Sequence, residues 1–324
     1  MFEREIRTVK VLVINAGSSS VKYHVYEMPQ AEVIAMGYVE KIAEETSELS
    51  HFFRGRSCTR PVKVQDVAGA MELILETLVD EDVGVLRQMS EIDAVGHRVV
   101  HGGEEFTGSV IIDAKVIASI EKFADLAPLH NPPNLAGILA ARRHLPDAKQ
   151  VACFDTAFHA TIPQVAYMYA LPYELYEKYG IRRYGFHGIS HRYVARRAAA
   201  LMGKGKYEIN AITCHLGNGC SITAVKNGRS IDTSMGLTPL EGVPMGTRCG
   251  DLDPAILFYL AEKGYDVKAL NTLCNKQSGL LGLSGVSNDV RNLEKFAKKG
   301  DARAKLAIDV FCYRIKKYIG AYAA

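Results

Sequence analysis

A chain of 324 residues is long enough for two domains, and its composition, 48% hydrophobic and 23% charged, is that of a soluble globular protein able to bury two cores. A formal net charge of +3, with Lys and Arg mixed evenly among Asp and Glu, excludes nucleic acid and anionic membranes as main partners and leaves small anions open. The seven cysteines, Cys58, Cys153, Cys214, Cys220, Cys249, Cys274 and Cys312, are odd in number and include no C-x-x-C pair. They point to neither a disulfide framework nor a zinc site and suit a reducing cytoplasm. The opening MFEREIRTVK is charged where a signal peptide is apolar, and no run approaches the roughly 18 apolar residues that a membrane span needs.

In chain order, residues 9–28 read VKVLVINAGSSSVKYHVYEM. The first run is almost wholly β-branched or aliphatic and predicts a strand buried on both faces. The second alternates Val21, Tyr23 and Val25 against Lys22, His24 and Tyr26, which makes the pair a β-hairpin. Its tip carries Asn15, Gly17, Ser18, Ser19, Ser20 and Lys22, donors suited to polyphosphate oxygens. It is not a Walker A loop, since a strand follows instead of a helix. An ordinary Ser-rich hairpin fits the same residues. A further strand pair is expected at 32–39, a polar loop or irregular excursion over 44–60, and an amphipathic helix over 66–79 with Val67, Met71, Ile74 and Leu78 on one stripe. A strand at 92–100 runs into His101-Gly102-Gly103. Asn131 reads as the cap of a helix with Pro132 and Pro133 in its first turn, and a strand over 150–154 closes the half. Strands alternating with helices predict an α/β domain over residues 1–154.

The second domain, residues 155–324, shows a helix over 190–202 and three strands at 210–216, 221–226 and 229–232. Gly217-Asn218-Gly219 joins the first two strands, and Asn227-Gly228, a strong hairpin signal, joins the next two. Helices follow over 253–262, 267–275, 287–298 and from 301 onward. Each half thus has a strand, a Gly/Asn turn and a strand, as two related domains facing one another over a cleft would have. The last helix carries a stripe of Leu306, Val310, Ile315 and Ile319 with no strand after it, so the second domain is expected to be incomplete.

Four residues stand out for chemistry. Asp155 follows the apolar run 151–154 and so sits at the carboxyl end of a strand, where open α/β sheets keep ligands; a turn-capping role fits equally. His187 precedes a helix, whose positive end favours an anionic oxygen, although a packed loop histidine looks the same. Arg98 and Arg248 lie in Gly-rich surroundings where a guanidinium could reach a carboxylate or phosphoryl group, yet most arginines are solvated. His97 and His101, four apart on a strand, are about 13 Å from one another and unsuited to one metal. No G-x-S-x-G elbow is present, which argues against hydrolytic nucleophile chemistry.

Together the segments VLVINAGSSSVKY, AVGHRVVHGGE, LAPLHNPPNL, FDTAFHATIP, YGFHGISHRYV, TCHLGNGCSI and DTSMGLTPLEGVPMGTRCGDLDP resemble the acetate kinase family, from Val11 to the last residue. That family belongs to the acetate and sugar kinase, Hsp70 and actin superfamily. The resemblance implies a two-domain actin-like (ribonuclease H-like) α/β fold with a shortened second domain. It also implies reversible, Mg2+- or Mn2+-assisted transfer of a phosphoryl group between ATP and acetate, with ADP and acetyl phosphate as products, in a cytoplasmic homodimer.

By matching position, Asn15, Ser18, Ser20 and Lys22 form the first phosphate loop, and His215, Leu216, Gly217, Asn218 and Gly219 the second. Arg98 and Arg248 hold the acetate carboxylate and the transferring group, and His187 and Arg248 stabilise the transition state. Asp155 positions the reacting group or the metal. Asn15 assists the metal together with a late Glu that this chain lacks. Val100, Leu129, Phe186 and Pro239 receive the acetate methyl. The family's last seventy-odd residues, which cradle adenosine, are also absent. The alternatives are a propionate or butyrate kinase, against which the branched Val100 argues, and a nucleotide-binding fragment without full catalytic equipment.

Overall fold

The computed structural model describes residues 8–128 and 130–324. The chain folds as two compact units that divide after Ala157. In the first unit, strands β1 (Val9–Ala16), β2 (Ser20–Met28), β3 (Glu32–Glu40), β4 (Ser47–Phe53), β5 (Arg56–Val62), β6 (Ile92–Val99), β7 (Val110–Ile111) and β8 (Lys149–Phe154) form one sheet in the order β5-β4-β3-β2-β1-β6-β8-β7. β1 to β5 are an antiparallel meander, while β6 and β8 run parallel to β1. Helices α1 (Val67–Val79), α2 (Ala114–Lys122) and α3 (Asn131–His144) complete the unit. The Asp66 carboxylate caps α1 by accepting from the Gly69 N–H at 2.8 Å.

α1 and α3 pack on one face of the sheet, where Leu12, Ile14, Val21, Met71, Ile74 and Leu78 are buried together. Each such side chain contributes about 1.5–3 kcal/mol. The opposite face is not covered in the same way: Val13 is 37% exposed, so β1 is buried on one face and not on both as its composition suggests. Residues 32–39 form one strand, not a pair, and most of the expected loop over 44–60 is strand β4 and the start of β5. Three polar residues of β4 turn inward because each finds a partner. Ser47 donates to the Lys41 carbonyl, Ser50 bonds Thr59, and His51 bridges the Tyr23 hydroxyl and the Val83 carbonyl. Asn131 does not cap α3; it lies inside the helix, 1% exposed, accepting from the His101 N–H and donating to the carbonyls of His101 and Ile120.

The division falls three residues later than position 154 because Asp155 and Thr156 are held by the first unit. The Asp155 N–H donates to the Val99 carbonyl, and Thr156 accepts from Gly102. The second unit contains α4 (Gln164–Tyr167), α5 (Tyr173–Tyr179), α6 (Gly188–Leu201), and the antiparallel strands β9 (Ala211–Leu216), β10 (Cys220–Lys226) and β11 (Arg229–Thr233) in the order β11-β10-β9. Asn227 and Gly228 both have positive φ, 49° and 67°, as a two-residue hairpin turn requires. α7 (Ala255–Glu262), α8 (Val267–Lys276), α9 (Gly279–Ser284), α10 (Val290–Lys298) and α11 (Ala302–Ala323) follow. The helix expected over 287–298 starts at Val290 under an Asp289 cap, and α9 was not expected. Leu280, Leu293, Ala304 and Ala307 form the core that joins α9, α10 and α11.

Three buried imidazoles in the first unit, His51, His97 and His101, make its stability depend on acidity. His97 is 2% exposed and bonded to the Gln150 side chain; burial pushes it down to about 4, and burial does the same to His101. The unfolded value is near 6.5, so the unfolded chain binds more protons between about pH 4 and 6.5. Stability is therefore fully present above that window and falls as pH drops through it. The urea midpoint is expected to decline steadily from pH 6.5 to 4.5, and less steeply in His97→Gln; equal slopes would remove His97 as a cause.

Candidate active site

On the first unit, sheet register brings the polar residues together. β1 and β6 pair in parallel with Ile14 beside His97, both buried, so the next residue on each strand, Asn15 and Arg98, faces the opposite side. Lys22 is directly across the hairpin from Asn15, and Ser20, two residues away, shares its face. β8 pairs with β6 so that Val99 matches Phe154, which leaves Asp155 just past the strand end. The Arg98 Nε donates to both Asp155 oxygens at 3.2 and 3.1 Å, Nη2 donates to Oδ2 at 2.6 Å, and Nη1 donates to Asn15 Oδ1 at 3.1 Å. The carboxylate is 2% exposed and the guanidinium 35%, so a buried anion holds a cation that still meets solvent. The attraction of Asp155 keeps Arg98 above its ordinary pKa.

Ser18 and Lys22 are exposed at the hairpin tip, which the Gly17 N–H closes on the Ser20 carbonyl at 2.7 Å. Val100 is buried, its N–H held at 3.0 Å by Asn134 Oδ1, while Asn134 Nδ2 donates to the Ala16 carbonyl at 2.5 Å. One asparagine of α3 therefore ties the end of β6 to the end of β1. Leu129 lies outside the described residues.

The second unit builds its own group. Gly185 has φ 73°, and a Cβ there would stand 2.3 Å from Thr233 Cγ2, so only glycine allows the chain to turn at that point. Phe186 is 1% exposed and its carbonyl accepts from His159 Nε2 at 3.0 Å. His187 then adopts the left-handed conformation with φ 59° immediately before α6. Such strain in a non-glycine residue costs on the order of 1–3 kcal/mol and marks sites that use it.

The His187 Nδ1 is 2.8 Å from Ser221 Oγ, and its ring stacks on His215 with centroids 4.0 Å apart. His215 bonds Ser190 in the first turn of α6. Between β9 and β10, the Gly217 N–H donates to the Gly219 carbonyl and Cys220 Sγ donates to the Gly217 carbonyl, which folds Leu216-Gly217-Asn218-Gly219 into a compact turn. A Cβ on Gly219 would lie 3.4 Å from His187 Nε2 and 3.6 Å from Arg248 Nη1, so the imidazole edge and the guanidinium converge on that one backbone position. Arg248 donates to the Pro239 carbonyl at 3.0 Å and forms no ion pair among the described residues; burial lowers its pKa, yet guanidinium stays charged.

Arg183 holds the loop that leads to Arg248. It donates to the carbonyls of Thr233, Ser234 and Met235 and pairs with Glu241 at 2.7 Å. A hollow of about 620 Å³ opens beside Leu216, Gly217 and Asn218 and is completed by Asn288, Asp289, Arg291 and Phe311. Sequence reasoning named none of those last four, nor His159, His191, Ser221 or Asn134. The polar run SNDVR was the one local signal. A larger hollow, about 1050 Å³, lies by α1 and α3, but its charges, Arg60, Lys63 and Arg143 against Asp66, Glu72 and Glu76, are of both signs and it does not touch the residues above.

An α/β chain with cationic and Gly-rich groups at its strand ends is equipped for phosphoryl chemistry. The acetokinase family profile matches residues 10–324. The acetate kinase of Halothermothrix orenii is 55% identical over 318 residues, spanning 98% of this chain and 80% of the relative. The crystal structure of Porphyromonas gingivalis acetate kinase superposes with a TM-score of 0.92 at 50% identity, covering 97% of this chain and 79% of that one. A propionate kinase structure from Francisella tularensis subsp. tularensis SCHU S4 gives a TM-score of 0.92 at 43% identity, covering 97% and 80%. The chain belongs to the acetokinase family and has its actin-like fold.

A single methyl probes the convergence at Gly219, whose φ any residue can adopt. Gly219→Ala is expected to keep the wild-type urea midpoint and to weaken pyrophosphate binding at least tenfold, the usual order for an intruding group of about 1–3 kcal/mol. Unchanged calorimetric affinity would show that no anion uses the position.

Proposed function

We propose that this protein transfers the γ-phosphoryl group of ATP to acetate, reversibly, forming acetyl phosphate and ADP. The observation that carries the reading is the state of Asp155: 2% exposed and taking three N–H contacts from Arg98, it orients a cation and is not placed to remove a proton. Acetate needs no base, being ionised already at neutral pH. The difficulty is to bring it to a polyanion and to neutralise charge spread over the equatorial oxygens of a loose transition state.

In this reading Arg98 holds the acetate carboxylate, and His187 and Arg248 donate to the phosphoryl oxygens. We assign phosphate contacts to Asn15, Ser18, Ser20 and Lys22 in the first unit and, separately, to the turn from His215 to Gly219 in the second. Val100, buried at the end of β6, is the residue of the first unit that we assign to the methyl. The hollow beside Gly217 and Asn218 is offered to the nucleoside.

Among the described residues no group of three His, Cys, Asp or Glu could hold a metal unaided. That fits Mg2+ or Mn2+ brought in on phosphate oxygens, which needs only one or two protein ligands. Asn15 Oδ1 is the donor we assign to it, since both oxygens of Asp155 are engaged by Arg98. The ion would supply neutralisation of phosphate charge.

We also place the enzyme in the cytoplasm, on the strength of its free cysteines, and read it as a homodimer, since Ile256, Phe258 and Tyr259 of α7 offer an exposed apolar surface to a second copy. No described helix is long and apolar enough to cross a membrane.

Loss of one preorganised donor usually costs about 3 kcal/mol in the barrier. Arg98→Ala and Arg248→Ala are each expected to lower kcat about a hundredfold, read by trapping acetyl phosphate as its hydroxamate, with unchanged circular dichroism. A near-normal rate in either purified variant refutes the assignment. Because the branched Val100 narrows the site, kcat/KM is expected to fall from acetate to propionate to butyrate, by about 1–3 kcal/mol per methylene. A higher value for propionate would move the reading to propionate kinase.

A further inference from the structure

Behind His187 lies a line of side chains that no part of the proposed reaction uses. Ser221 Oγ is 2.8 Å from His187 Nδ1 and 2.7 Å from His191 Nε2, and His191 Nδ1 is 2.7 Å from Thr213 Oγ1. Ser221 is 0% exposed, His191 1% and Thr213 5%. The pattern follows from local structure. Ser221 on β10 and Thr213 on β9 present their hydroxyls to α6, and His191 lies one turn beyond His187 on that helix, so both imidazoles reach the same serine.

A hydroxyl has one proton, so Ser221 donates to one ring only and accepts from the other. Two orders are available. In the first, Thr213 donates to His191 Nδ1, His191 Nε2–H donates to Ser221, and Ser221 donates to His187 Nδ1; a neutral His187 then carries its proton on Nε2. In the second, every donor is reversed, and a neutral His187 presents a bare Nε2 lone pair to whatever stands at Gly219.

We propose that Ser221 and His191 are positioning residues that hold His187 in the first order, with Nδ1 as acceptor and Nε2–H as donor toward the phosphoryl oxygens. This rests on the reading of His187 as a transition-state donor, because the reversed order would set a lone pair against an anion. His191 is suited to the part: burial, reinforced by the neighbouring histidines, pushes it down to about 2, so it remains neutral and keeps a single ring proton to pass along the line. The Nε2 edge of His187 is the edge that faces Gly219 and Arg248, so the ring points its proton where the role needs it. An unsupported imidazole populates both neutral tautomers, and outer partners that fix a histidine's tautomer and orientation commonly matter by 10- to 100-fold.

The full chain, uniformly 15N-labelled and free of substrates, tests this through long-range 1H–15N spectra of the histidine rings, with His187→Gln identifying the His187 signals. The wild type is expected to show His187 as the Nε2–H tautomer. Ser221→Ala is expected to mix the tautomers, and Ser221→Thr, which keeps the hydroxyl, to restore the wild-type pattern. In the acetyl phosphate assay Ser221→Ala should lose on the order of tenfold or more in kcat with KM little changed, and Ser221→Thr should recover it. His191→Gln, whose amide keeps a donor near the Nε2 position, should stay closer to wild type than His191→Leu.

An Nδ1–H ring in the wild type, or an unaltered tautomer in Ser221→Ala, overturns the proposal and leaves phosphoryl transfer to acetate standing. A tautomer that responds while kcat does not overturns instead the role given to His187. If Ser221→Ala unfolds, the wild-type spectrum alone still decides between the two orders.

Discussion

The first unit's sheet is packed by α1 and α3 on one face, and the geometry of its polar group depends on that constraint. Burying Leu12, Ile14, Val95 and Val99 against the helices obliges the alternate residues, Asn15 and Arg98 among them, to face the other way. One alternation thus provides much of the core and aims the guanidinium. A slip of β1 by one residue against β6 would bury Asn15 and expose Ile14, leaving Arg98 without its asparagine partner. The hydrophobic cost of such a slip keeps the polar group in register.

The second unit solves a similar problem by other means. His187 is held by a strained backbone, a stacked imidazole and a serine, and its neighbours Gly185 and His159 are there to maintain the turn that presents it. The polar residues beneath it, Thr213, Ser221 and His191, are buried and mutually bonded, which makes the ring's surroundings stiff at the price of leaving little tolerance for substitution.

Much of this was legible in the residues, for identifiable reasons. β2 and α1 have clean periods of 2 and 3.6, the Asn227-Gly228 turn has a specific backbone demand, and Asn15, Arg98, Asp155, His187 and Arg248 sit in long recognisable motifs. β4 was not legible because Ser47, Ser50 and His51 look like loop residues until their partners are known. The double burial inferred for β1 failed because a run of aliphatic residues does not report which of its faces a helix covers. Asn134, Ser221 and His191 escaped notice because their contacts are non-local: Asn134 meets Val100 across 34 positions and Ser221 meets His187 across the same separation, with no periodic signal to announce either.

The meander has a consequence at its outer border. β5 ends the sheet on one side, and its row of mainly exposed residues includes Arg56, Arg60 and Pro61. Two guanidiniums repel a like strand, and an imino acid has no N–H to lend to a newcomer. The border that would otherwise invite further chains to join, rung upon rung, is closed by chemistry, so the protein can keep a broad sheet in a crowded solution without growing into a fibre.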